Sequence, residues 1–260
     1  NKLKEIIIGN NPIDYVGGNI GALALMIKII KKTNNIRLKN ECIEISDFII
    51  LDLKKSLYQY NNEQHTTIYS GFSHGLSGVI NYLYEYFTLT NDQSVYQIFK
   101  RCLDEQRARF WSEEHHDWIV SNKEQKFAYG WCHGSPGILI EKVNLKNLGY
   151  MDSLLEKEIA HASANLISHL GTNVSMCHGD LGNILILNKY SNLEGNLMAK
   201  KVVQSATQSI YQFMSEHLED ESKMSFKKFK GLMLGIAGIG DFLLKMCEDN
   251  NQLELIEYLW

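Results

Sequence analysis

Proline is almost missing from this chain, two in 260 residues. That argues against a fold of many rigid loops and leaves long helices free to run. No basic block is present and the net charge is -4, which argues against a nucleic-acid partner. No apolar run approaches the roughly 18 residues a membrane span needs. A signal-peptide pattern is also missing. The chain starts at Asn1 rather than Met, so its N-terminus reads as a cut end. Cysteine is sparse and odd in number, five in all, which fits a reducing cytoplasmic setting better than a disulfide framework.

Against these absences stands a glycine frame. Five segments align on a G-x-x-G pair: Gly18/Gly21, Gly75/Gly78, Gly134/Gly137, Gly179/Gly182 and Gly235/Gly238. The first glycines lie 45 to 59 residues apart, a period that suits a pair of helices with loops. Apolar stretches follow the pairs, such as 22–30, 79–87, 184–187 and 239–246. Amphipathic stretches lie between them, at 40–60, 94–110, 153–169 and 197–218. Each unit therefore reads as an outer amphipathic helix, a loop, a glycine turn and an inner apolar helix. The expected fold is all-α, an α/α toroid of helical hairpins. The turns should lie on its inner rim, with N–H groups at the inner helix starts free to face a ligand.

The chemistry sits on that frame. Cys132-His133-Gly134 and Cys177-His178-Gly179 occupy equivalent places, and Ser73-His74-Gly75 repeats the histidine without the cysteine. Two thiols and a neighbouring imidazole make a three-ligand zinc set that leaves a fourth position open, so Cys132, Cys177 and His178 are the candidate ligands. His74 and His133 are the candidate acid/base groups, since histidine titrates near neutrality. Asp14 opens the first unit, where a helix-capping role competes with a chemical one. Asp180 and Asn183 read as turn formers or as support for His178. Cys42, Cys102 and Cys247 sit in helical apolar patterns and read as packing residues. His65, His115, His116, His161 and His169 lie outside the frame. Glu113-Glu114 and Glu219-Asp220-Glu221 read as solvated loops.

These motifs resemble the lanthionine cyclases, the LanC-like family. Trp131-Cys132-His133-Gly134, Cys177-His178-Gly179-Asp180-Leu181-Gly182-Asn183 and the segment 231–240 look most like the C-terminal cyclase domain of class II lanthipeptide synthetases (LanM type). The resemblance implies zinc on Cys132, Cys177 and His178, a proton-transferring His74 and an acidic active-site residue at Asp14. It also implies the reaction: addition of peptide cysteine thiols to dehydroalanine or dehydrobutyrine, forming (methyl)lanthionine rings. A non-catalytic thiol- or peptide-binding toroid is the alternative. A zinc hydrolase would need an acidic base beside the ligands, for which only Asp180 offers itself. Expected partners are a dehydrated precursor peptide, the dehydratase domain of the same parent chain and a transporter complex at the membrane. Stand-alone class I cyclases carry Tyr after the first zinc cysteine and Arg four residues before it; here those places hold His133 and Ala128, with Lys126 near but out of register. The family ring has seven hairpins against five here. Residues 1–260 are therefore expected to form a C-terminal fragment of the cyclase domain, an open arc exposing apolar inner-helix surface between Ile20 and Ile30.

Overall fold

The computed structural model describes residues 13–62, 67–171, 173–217 and 229–247. His65 and Glu219-Asp220-Glu221 lie outside them, as does the side chain of Cys247. Nine helices run in order among the described residues: α1 (Asn19–Lys32), α2 (Ile36–Asn62), α3 (Leu76–Thr90), α4 (Gln93–Phe110), α5 (Ser135–Asn147), α6 (Leu155–Ser168), α7 (Asp180–Glu194), α8 (Leu197–His217) and α9 (Ile236–Cys247). Four antiparallel pairs are packed as hairpins: α1 with α2, α3 with α4, α5 with α6, and α7 with α8. The inner helices then contact one another in sequence, α1 to α3 to α5 to α7. The expected all-α toroid of hairpins is the fold found. The sole sheet among the described residues is a two-residue hairpin between α4 and α5, β1 (Trp111–Ser112) with β2 (Asp117–Trp118).

Burial follows from position in the ring. Outer helices α4 and α6 bury one stripe each, such as Val95, Phe99, Cys102 and Leu103 on α4. Inner helices α5 and α7 are buried nearly all round: α5 is covered by its inner neighbours α3 and α7 and its outer partner α6, and α7 by α5, α6 and α8. Cys42 and Cys102 are buried packing residues, and burial pushes the Cys102 thiol up to about 12. The expected exposed surface on α1 is smaller than the sequence suggested. Ile20, Leu23, Met26, Ile27 and Ile30 are buried by α2 and α3, and Leu25 alone in the run is exposed, at 54%. No described helix is long and apolar enough to cross a membrane.

The glycine turns explain their own composition. Gly18, Gly75, Gly134 and Gly179 sit at the N-caps of α1, α3, α5 and α7, with no side-chain cap bond at any of them. The first helical N–H groups are taken by carbonyls of the chain leading into the turn. Leu76 N–H donates to Tyr69 O (2.9 Å), Asp180 N–H to Asn173 O (2.7 Å) and Ile236 N–H to Phe229 O (3.0 Å). The expectation that these groups face a ligand is therefore corrected: the incoming strand satisfies them. That strand crosses so close to the helix start that a Cβ on Gly137 would lie 2.2 Å from Trp131 O, and one on Gly182 would lie 2.1 Å from Met176 O. Only glycine fits there.

Candidate metal centre

Adjacent turns are stitched together by main-chain bonds. Tyr15 N–H donates to Ser73 O (2.8 Å) and Phe72 N–H to Trp131 O (3.2 Å), while Met176 and Cys177 N–H both donate to Met233 O (3.1 and 2.9 Å). This brings the residues just before each first glycine onto one rim. At the joint between the third and fourth turns, Gly130 lies against His178: a Cβ there would be 2.6 Å from His178 Cβ. Asn173 Nδ2 donates to His178 O (3.0 Å), holding that turn from the other side.

On this rim the ligand atoms of Cys132, Cys177 and His178 all lie within 4.8 Å of one another. Cys132 is buried, Cys177 half-buried and His178 exposed, so the group opens to solvent on the His178 side. The adjacent Cys132 thiol, and then the neighbouring His178, push the Cys177 thiol down, while the Cys132 thiol is held well above its ordinary value. Two thiols and an imidazole at this spacing suit a borderline-soft ion such as zinc.

A second cluster lies beside it on the rim, where His133 directly follows Cys132. His74 Nδ1 meets Asp14 Oδ2 at 2.5 Å, and Asp14 Oδ1 also accepts from Gly17 N–H (2.6 Å). One carboxylate thus closes the first turn and orients an imidazole from the second. The His133 ring centroid lies 4.8 Å from that of His74 and 5.1 Å from that of Tyr69. His133 Nδ1 is buried without a hydrogen-bond partner among the described residues. Burial lowers the His133 pKa first, and the charges of His74 and His178 lower it further against the pull of Asp14. His74 stands outside the three-residue ligand group, yet its charge helps to lower Cys177, so the two clusters share one electrostatic neighbourhood.

The neighbouring candidates settle differently. Asp180 Oδ1 accepts from Gly171 N–H (2.9 Å), a turn role. Asn183 Nδ2 donates to Tyr129 O (2.8 Å), not to His178. Lys126 is mostly exposed and paired with Glu124, so it does not stand in for the missing arginine. Tyr69, Asn173 and Tyr129 carry no signal in the glycine frame; only the packing reveals them.

A ring of helical hairpins with a Cys-Cys-His group on its inner rim defines a class. A family model, lanthionine synthetase C-like protein, matches residues 1–258, and the chain belongs to that family. Among solved structures, nisin cyclase has a TM-score of 0.72 at 19% identity, over 96% of this chain and 68% of that one. The lacticin 481/lactococcin biosynthesis protein LcnDR2 of Lactococcus lactis subsp. lactis is 23% identical over 210 residues, 72% of this chain. The chain spans about a fifth (21%) of that relative's length.

Proposed function

We propose that this chain is a zinc-dependent lanthionine cyclase, joining cysteine thiols to dehydroalanine or dehydrobutyrine within one dehydrated precursor peptide. The observation that carries the reading is the three-residue thiol–imidazole group, with His133, the residue after Cys132, 4.8 Å ring to ring from the His74 of the Asp14–His74 pair. Cys132, Cys177 and His178 would hold the ion. Bound zinc supplies a Lewis acid that keeps a thiol, with an ordinary pKa of about 8.5, in its thiolate form at neutral pH.

The other steps belong to the chain's own residues. Asp14 accepts from His74 Nδ1, which leaves Nε2 as the working nitrogen. In the reaction the thiol passes its proton to His74 Nε2, sulfur bonds to the alkene β-carbon, and the electron pair moves to the enolate. His74 Nε2 returns a proton to the α-carbon, completing the thioether. His133, held neutral by burial and by its histidine neighbours, is placed to donate toward the enolate oxygen. A cavity of about 650 Å³ adjoins this cluster, lined by Asp14, His74 and His133 and by Ile98, Cys102 and Glu105 of α4, with room for a peptide segment; the three ligand residues lie outside its lining. A dehydratase domain in the parent chain would supply the alkene, and a transporter complex would take the product.

The test is to load the chain with one equivalent of zinc and add a dehydrated cysteine-containing peptide. Free thiols should disappear at unchanged peptide mass, and chelation should stop the loss. Peptide binding with every thiol retained would replace the enzyme reading with that of a binding protein.

A further inference from the structure

The turn that carries Cys132 is held on its C-terminal side by one buried carboxylate. Asp117 is only 3% exposed and belongs to β2. The hairpin pairs Ser112 with Asp117, and Trp111 packs edge-on against Trp118 at 4.7 Å, which fixes the strand carrying Asp117. Ser135 Oγ donates to Asp117 Oδ1, which also accepts from Trp118 N–H (2.7 Å). The Tyr129 hydroxyl lies near the same carboxylate, and burial and then that carboxylate raise its pKa. A buried carboxylate is costly unless its lone pairs are filled, and here Ser135 Oγ and the Trp118 N–H fill them.

Ser135, bonded to Asp117, lies three residues after Cys132, and Tyr129 lies three residues before it. Tyr129 is also the bridge to the second ligand turn. Its carbonyl accepts from Asn183 on α7, the helix that follows Cys177 and His178, and the next residue, Gly130, lies against His178. Its ring stacks on His169 at the end of α6. The distance between ligands on different hairpins is thus set through groups that are not ligands.

We propose that Asp117 is a positioning residue of the metal centre: by holding Ser135, with Tyr129 packed beside it, Asp117 fixes Cys132 at bonding separation from Cys177 and His178. The inference rests on the metal-centre reading above, and its test separates the two. Zinc affinity would be measured by competition with a chromophoric chelator for wild type, Asp117→Asn, Tyr129→Phe and Ser135→Ala. In parallel, the rate of capture by a bivalent arsenical, which needs two adjacent thiols, would be followed without metal. Melting temperature and far-UV circular dichroism would establish that each variant is folded. Asp117→Asn should lose about 10- to 100-fold in zinc affinity, the usual cost of removing an outer support of a metal site. It should also slow arsenical capture, and Tyr129→Phe and Ser135→Ala should show smaller losses of both. A folded Asp117→Asn with wild-type zinc affinity and capture rate overturns the proposal. If that variant fails to fold, wild-type values in both Tyr129→Phe and Ser135→Ala overturn it. A wild type that binds no zinc overturns the metal reading alone, and the arsenical rates then decide on Asp117.

Discussion

His74 and His178 hold the same place in their units, one residue before the first glycine, yet the fold gives them different work. His178 joins two thiols, whereas His74 meets Asp14. Changing His74→Asn should therefore leave bound zinc near wild type while cutting ring formation by about 10²-fold or more, the usual size of an acid/base contribution. Changing Cys177→Ala should lose the metal, since one of three ligands goes. Zinc analysis and a thiol assay on both variants check this; zinc loss in His74→Asn would mean that a ligand had been taken for an acid. The glycine frame makes both residues legible as site candidates. It does not separate their roles, because a residue's place within its turn says nothing about the turn next door.

Among the elements, the middle hairpins are locked by charge as well as by apolar packing. Lys142 and Glu141 on α5 are fully buried; Lys142 Nζ donates to Glu141 (2.8 Å) and to Gln106 on α4 (2.7 Å). Beside them Arg107 of α4 reaches both Asp152 (2.7 Å) and Glu158 of α6 (2.7 Å). Burial raises both carboxyls, but the Arg107 hydrogen bonds, with the Lys142 charge at Glu158, outweigh it and hold both below their ordinary values. A depressed carboxylate stabilises the fold above its unfolded pKa of about 4, and the gain is lost as pH falls through the depressed value. The gap in melting temperature between wild type and Arg107→Gln should thus be widest above about pH 5 and narrow toward pH 3. A gap constant with pH would show that Arg107 acts through packing alone. Sequence periodicity gave no hint of this cluster. Two adjacent charges on a helix look solvated until the ring covers every face of that helix.

For the molecule as a whole, the turns are tied to one another by the chain's own bonds, such as Tyr15 to Ser73, Phe72 to Trp131 and Cys177 to Met233. Removing zinc with a chelator should therefore leave the helical circular dichroism unchanged. The melting temperature should fall only by the linkage term, about 3–4 kcal/mol of stabilisation at ion concentrations 100 to 1,000 times the dissociation constant. Loss of helix on chelation would mean that the ion, rather than the turn-to-turn bonds, builds the rim.

What the sequence determined by itself is local and repetitive. Scarce proline and alternating apolar and amphipathic stretches specify helices, and five glycine pairs specify where inner helices start. Cysteine beside histidine at two of those starts specifies a soft-metal chemistry. These features depend on neighbours a few residues apart, so they can be read along the chain. Only the tertiary structure decided which histidine stands with the thiols, that His133 sits beside His74, and that Asp117 grips the Cys132 turn. Each of those outcomes depends on the distance between residues on different hairpins. That distance is set by side-chain packing across the ring, where a Gly130 small enough to admit His178 matters as much as any ligand.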